Sequence, residues 1–180
     1  MSGLHKRVGE VLERAPQGGT VIEVGALRGE MAHVALSRRP DLRWIMIDNW
    51  LPGEEQPEAY RATGDSLARR NGAAVMKHAA QAFAVGIESR ASILFMSSME
   101  AAQIVAERSV NIVFIDGDHS CEAVKSDIAA WSQRVRRGGW IGGHDFEAPE
   151  AHLQGVTRAV TEAFGGLVGA GEDHTWWVRL

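Results

Sequence analysis

The sequence predicts an α/β fold: a single Rossmann-like doubly wound sheet, mostly parallel, with an antiparallel C-terminal strand. Three observations carry this reading. Short apolar runs rich in β-branched residues alternate with stretches of helical periodicity along the 180 residues. Several of those runs end on glycine or an acid, as strands of open α/β sheets do at their ligand edge. No internal repeat or linker divides the chain, so residues 1–180 form one domain with a surface excursion at about 51–72.

Taken in order, Leu4, Val8, Val11 and Leu12 make an amphipathic opening helix that ends around Pro16 and Gly18-Gly19. Thr20–Val24 is a first buried strand, running into Gly25-Ala26-Leu27-Arg28-Gly29. Met31, Val34, Ala35 and Leu36 mark a helix terminated by Pro40, and residues 43–47 form a second strand closing on Asp48-Asn49-Trp50. Residues 51–72 carry prolines, glycines and acids without clear period. They are expected to hold a short helix, to be mobile without ligand and to form part of an acceptor pocket. Helical spacing returns at 73–85 through Val75, Ala79, Ala82 and Phe83. Residues 92–96 are a third strand, and Ser97-Ser98 begins a helix to about Arg108.

Residues 112–115 are a fourth strand, stopping at Asp116-Gly117-Asp118-His119. Ser120 then sits in N-cap position before a helix through Val124, Ile128, Trp131 and Val135, stopped by Gly138-Gly139. Trp140-Ile141 leads into Gly142-Gly143-His144-Asp145. This strand–helix–strand unit is expected to be right-handed and parallel, which brings two carboxylates and two imidazoles to one sheet edge. Residues 155–164 are a last helix, and 167–168 and 176–178 are two closing strands, with an antiparallel pair expected.

Composition narrows the class. The chain is 45% hydrophobic and 23% charged with a net charge of −4, an ordinary soluble balance that gives no general attraction to nucleic acid or anionic membrane. Apolar runs of transmembrane length and a signal-type leader are both lacking. The lone Cys121 excludes an intrachain disulfide and suits a reducing cytoplasm, the expected location. Arg38-Arg39, Arg69-Arg70 and Arg136-Arg137 fall at helix ends and read as dipole partners and solvated faces.

Glu23-Val24-Gly25-x-x-x-Gly29 is a candidate ligand turn, with Gly25 allowing a sharp exit from the strand and Gly29 close packing of the helix start. Leu27 stands where the dinucleotide fingerprint needs bare backbone, and Glu23 would repel a diphosphate, so another ligand is favoured. Any strand-to-helix turn also favours glycine. Asp48 ends the second strand where a carboxylate commonly meets a ribose diol.

With those residues in view, the sequence resembles class I S-adenosylmethionine-dependent methyltransferases. VIEVGALRGEMA is similar to their first motif and IDNW to the acid-ended second strand. VNIVFIDGDHSCEAVKSDI and RRGGWIGGHDF resemble the fourth and fifth strands of small-molecule O-methyltransferases of the catechol and macrolide-sugar type, many of them magnesium-dependent. The resemblance covers about residues 20–180. It implies that Glu23, Gly25 and the Ala26, Leu27, Gly29 turn hold the methionine half of the cofactor. Asp48, with Asn49 beside it, would take the ribose, Ser98 and Met99 would lie near the adenine, and Asp116 would face the methyl-transfer centre. It also implies a metal held by Asp116 and by a pair after the fifth strand, here His144-Asp145 rather than two acids. Imidazole suits softer ions than Mg2+, which leaves the metal's identity open.

Strand alternation would send His144 to the face opposite Asp145, though a turn there could bring it round, so Asp116 and Asp145 are the expected ligands and His144 an occasional third. His119 matches a histidine acting as general base in such enzymes, with helix capping as its other reading. His144 and Asp116 are further candidates for the chemistry. Trp50 is expected to wall the acceptor site, and Trp44 and Trp176 to pack in the core. His5, His33, His78, His152 and His174 read as surface residues. The expectation is therefore a methyltransferase that uses S-adenosylmethionine on a small-molecule hydroxyl, with Mg2+ or another divalent metal as candidate helper. Its partner is a small-molecule acceptor, with no nucleic acid, no membrane and a homodimer left open. Its rivals are an S-adenosylmethionine-binding protein without transferase activity and a nicotinamide dehydrogenase, the latter weakened by Leu27.

Overall fold

The computed structural model describes residues 3–64, 77, 80–81 and 89–180. The expected helix at 73–85 and the later part of the excursion lie largely outside the described residues. The strands are β1 (Thr20–Val24), β2 (Arg43–Asp48), β3 (Ala91–Phe95), β4 (Val110–Ile115), β5 (Val135–Gly143), β6 (Gly169–Ala170) and β7 (Trp176–Arg179). They form one sheet in the order β3-β2-β1-β4-β5-β7-β6. Strands β1 to β5 pair in parallel, β7 runs antiparallel to β5, and β6 runs antiparallel to β7. The helices whose whole length is described are α1 (Gly3–Arg14), α2 (Glu30–Arg38), α3 (Glu58–Ala62), α4 (Ser98–Ile104), α5 (Cys121–Ser132) and α6 (Gln154–Phe164).

Alternation along the central strands builds two cores, one on each sheet face. Ile22, Val24, Val113, Ile115 and Ile141 pack with Ala101, Ile128, Trp131 and Val160 from α4, α5 and α6. Val21, Trp44, Ile112, Phe114 and Trp177 pack with Val8, Val11, Met31 and Leu36 from α1 and α2. Trp44 and Trp176 are fully buried, as expected. Ser97 closes a capping box with Glu100 at the start of α4, and the Ser120 hydroxyl caps α5 by accepting from the Ala123 N–H. α1 is fastened to the sheet by Arg14, whose guanidinium lies 4.5 Å from the Trp177 ring centroid and 5.2 Å from that of Trp140.

Three boundaries differ from the sequence reading. α4 ends at Ile104 rather than about Arg108, because Val105 turns extended to feed β4, which begins at Val110. α5 ends at Ser132, and Val135 belongs to β5, where it pairs with Val110. The pairing then jumps to Ile112 with Trp140, so Gly138-Gly139 sit in an irregularity of β5 instead of stopping a helix. The penultimate strand is the two-residue β6, while Leu167 lies exposed in a 3-10 turn.

Gly142 and Gly143 are not part of a loose polar turn. They close β5 beside Trp177 and Trp176 of β7. A Cβ on Gly142 would overlap the Trp177 ring and lie 2.5 Å from the Trp176 carbonyl oxygen. Gly142→Ala should therefore cost about 1–3 kcal/mol through overpacking. A thermal melt coincident with wild type would refute this packing constraint.

Glu23 points to the α1/α2 face, 4% exposed, and accepts a 2.7 Å hydrogen bond from the Trp44 indole. Burial pushes its carboxyl up to about 8, the Trp44 bond opposing and the Asp116 charge adding to the shift. The group is thus mostly neutral near pH 7, and the expected repulsion of an anionic ligand by Glu23 does not apply. A raised folded-state pKa gives stability that is complete below the ordinary value of 4.5 and declines as pH rises through about 8. Glu23→Gln keeps an acceptor for Trp44 and removes this slope. Between about pH 5 and pH 8 the variant should gain roughly 1–3 kcal/mol on wild type in denaturant melts. Parallel stability curves would show that Glu23 keeps an ordinary pKa.

Candidate active site

A cavity of about 870 Å³ opens at the carboxyl ends of β1, β2 and β4, with the turn after β5 on its wall. That volume suits a small ligand with a second molecule beside it. Every candidate site residue borders it except Gly29, which packs behind the turn against Met46 and Ala80. Trp50 lines it too, as expected, and the described part of the excursion contributes Leu51, Gln56, Pro57 and Tyr60.

The turn after β1 is fixed by backbone geometry. Gly25 has φ 87°, and a Cβ there would overlap the Asp116 carbonyl and lie 2.6 Å from Gly117 Cα. The end of β4 thus demands glycine before any ligand arrives. Leu27 sits in the left-handed region at φ 48° and donates its N–H to Asp48 Oδ2 at 2.9 Å. Asp48 Oδ1 accepts from the Trp50 N–H at 2.8 Å, and the Trp50 indole donates to the Leu27 carbonyl at 2.7 Å. Burial raises the Asp48 pKa, while these backbone bonds pull against it. The carboxylate is held in one orientation at the cavity wall.

Beyond β3, Ser98 borders the cavity and donates its hydroxyl proton to Asp127, while accepting from the Trp131 indole at 2.8 Å. Burial pushes the Asp127 carboxyl up to about 6, the Ser98 bond opposing. Met99 stands beside it, exposed. Asp127 carries no motif; it falls on the helical face between the apolar positions Val124 and Ile128, where sequence periodicity gives no functional signal.

On the other side four side chains converge. Asp116, His144 and Asp145 offer one ligand atom each, all within 4.8 Å of one another. His144 Nδ1 lies 2.8 Å from Asp145 Oδ1 and 3.6 Å from Asp116 Oδ1. His119 Nε2 is 3.2 Å from Asp145 Oδ2 and 3.8 Å from Asp116 Oδ1, with the Tyr60 ring edge-on to its imidazole. Of the two orientations open to His144, a turn decides: Asp145 takes φ 63°, breaking the strand alternation and bringing both side chains to one side. Burial alone would raise Asp116, but hydrogen bonds from His119 and His144 hold its carboxyl far below the usual carboxylate range. Burial works against charge on His144, yet Asp116 and Asp145 more than offset it and raise the ring to about 9. Two carboxylates and one imidazole are a donor set that fits a divalent ion, provided the ring gives up its proton.

Two members of this cluster carried no sequence signal. Arg7 Nη1 lies 3.0 Å from Asp116 Oδ2, and its Nε lies 3.2 Å from Asp173 Oδ2. Arg7 looks in the sequence like one charge of an amphipathic helix, and Asp173 like part of a loop.

The profile of a family described as "Methyltransferase domain" matches residues 22–146, more than half of the chain. Among curated proteins none matches the sequence closely enough to count as a relative. Among solved structures the O-methyltransferase NovP superposes with a TM-score of 0.68 at 14% identity, covering 97% of this chain and 79% of that one. A protein from Corynebacterium glutamicum gives 0.64 at 15%, covering 98% and 79%. A candidate rRNA methylase from Clostridium thermocellum gives 0.64 at 11%, covering 100% and 98%. At these identities the superpositions speak for the fold, and the family profile speaks for the class. The chain belongs to the methyltransferase-domain family and has the Rossmann-like fold of class I S-adenosylmethionine-dependent methyltransferases.

Proposed function

We propose that the protein methylates a hydroxyl of a small molecule, with S-adenosylmethionine as donor and a divalent ion assisting at Asp116, His144 and Asp145. The carrying observation is that the Gly25–Asp48 wall and the acid–imidazole cluster border one cavity. S-adenosylmethionine would supply an electrophilic methyl group on a sulfonium, whose thioether leaves as the acceptor oxygen bonds to the methyl carbon in line. Gly25, Ala26 and Leu27 shape the turn beside the methionine part. Asp48, oriented by the Leu27 and Trp50 N–H groups, accepts from the ribose hydroxyls. Asn49 lies next to it, and Ser98 and Met99 flank the adenine. Asp116, His144 and Asp145 would hold the ion, which supplies Lewis acidity toward a bound hydroxyl.

A hydroxyl is a poor nucleophile until its proton leaves, and His119 is the base that takes it. Asp145 and Asp116 stabilise the resulting imidazolium from 3.2 and 3.8 Å. Tyr60, Trp50 and Leu51 wall the acceptor and exclude water. The net charge of −4 favours a small acceptor over nucleic acid.

Calorimetry with S-adenosylhomocysteine should give saturable binding and none with NAD; the reverse result would place the protein among nicotinamide enzymes. Turnover on a panel of phenolic and sugar hydroxyls should stop with EDTA and return with a divalent ion, and Asp145→Asn should be inactive. His119→Gln should lower kcat about 10²–10⁴-fold while leaving S-adenosylhomocysteine affinity near wild type. Binding without turnover on any acceptor would favour a cofactor-binding protein, and activity that survives EDTA would leave a histidine base without metal.

A further inference from the structure

The Arg7 guanidinium is the part of the cluster that no motif accounts for. It reaches the sheet edge from α1 and borders the cavity. Its Nη1 is 3.0 Å from Asp116 Oδ2 and 3.5 Å from His144 Nδ1, and its Nε is 3.2 Å from Asp173 Oδ2. Asp116 and His144 are two of the three residues whose ligand atoms converge within 4.8 Å. A guanidinium at contact distance from both stands where an entering ion would have to approach. Two cations so close repel, and both draw on the charge of the same Asp116 carboxylate.

We propose that Arg7 is a resident cation of this centre and that a divalent ion enters by displacing Arg7 from Asp116. The inference rests on the metal-assisted reading above and adds the residue that controls it.

The displacement must come from the side chain, because α1 is anchored. Val8 and Val11 are fully buried, Glu10 accepts from the Glu172 N–H at 2.9 Å, and Arg14 stacks on Trp177. Asp173 offers the displaced guanidinium a second carboxylate that is not among the three converging ligands. Arg7 can therefore release Asp116 while keeping one charged partner. The cost of breaking the Arg7–Asp116 pair is subtracted from the ion's affinity, so the wild-type site binds more weakly than its donor set alone would.

The probe is Mn2+ alone, followed by calorimetry and by the loss of the free-ion electron paramagnetic resonance signal, with no acceptor present. Arg7→Met keeps much of the length and removes the charge, and it should bind Mn2+ on the order of tenfold more tightly than wild type. Arg7→Lys retains the charge and should stay near wild type. The gain should vanish when Arg7→Met is combined with Asp116→Asn. If wild type binds Mn2+ and Arg7→Met binds it equally or more weakly, the inference is overturned while the metal reading stands. If neither binds Mn2+ at millimolar concentration, the metal reading falls and the inference falls with it. Should Arg7→Met fail to fold by thermal melt, Arg7→Gln is held to the same criteria.

Discussion

The site depends on one close approach, where the end of β1 meets the end of β4. The Asp116 N–H donates to the Val24 carbonyl at 2.8 Å, and the chain after Val24 passes so near Asp116 that its carbonyl and Gly117 leave no room for a Cβ on Gly25. That contact fixes the left-handed turn at Gly25. It also sets the Asp116 side chain beside the turn proposed to hold the methionine part of the cofactor. The proposed cofactor turn and the acid–imidazole cluster are thus joined through two neighbouring parallel strands. A displacement in line needs positioning of that kind more than it needs covalent chemistry from the protein.

Gathering Asp116, Asp145 and Asp173 at one edge is expensive unless positive charge accompanies them. The fold supplies it from elements far apart in sequence: Arg7 from α1 and His144 from the turn after β5. The low pKa of Asp116 and the high pKa of His144 are two views of the same compensation. Such a cluster keeps the Asp116 carboxylate ionised at neutral pH, the state in which it can serve a metal, an imidazolium or a polarised hydroxyl.

The mostly parallel sheet and the positions of the two chemical clusters are legible because β1, β2 and β4 are short apolar runs ending on a distinctive residue. Asp48 and Asp116 stand out for that reason. What escaped the sequence was set by contacts across the sheet. Val135 fits a helical period with Ile128 and Trp131, yet its pairing with Val110 wins because burial in the ladder outweighs propensity. Gly142 and Gly143 looked like turn residues when the tryptophans of β7 were the true cause of their size. The sequence leaves the face of His144 open because alternation holds only while φ stays extended, and Asp145 leaves that region. Arg7 could not be seen at all, since helical periodicity reports which face is apolar and not which sheet edge the polar flank reaches.

The turn after β1 bears on the choice between ligands, and more strongly than the missing central glycine does. A pyrophosphate site in such a fold relies on backbone N–H groups aimed at the phosphates. Here the Gly25 and Ala26 N–H groups both donate to the Ile47 carbonyl, at 2.8 and 3.2 Å. The Leu27 N–H is taken by Asp48 and the Gly29 N–H by the Ala26 carbonyl. Four of the five donors of residues 25–29 are thus spent inside the protein, and the carboxylate that holds one of them adds negative charge at the wall. A diphosphate would find few donors and an adverse field. A ligand whose central group is a sulfonium, flanked by ribose hydroxyls that donate rather than accept, meets the acceptor-rich wall that the turn presents.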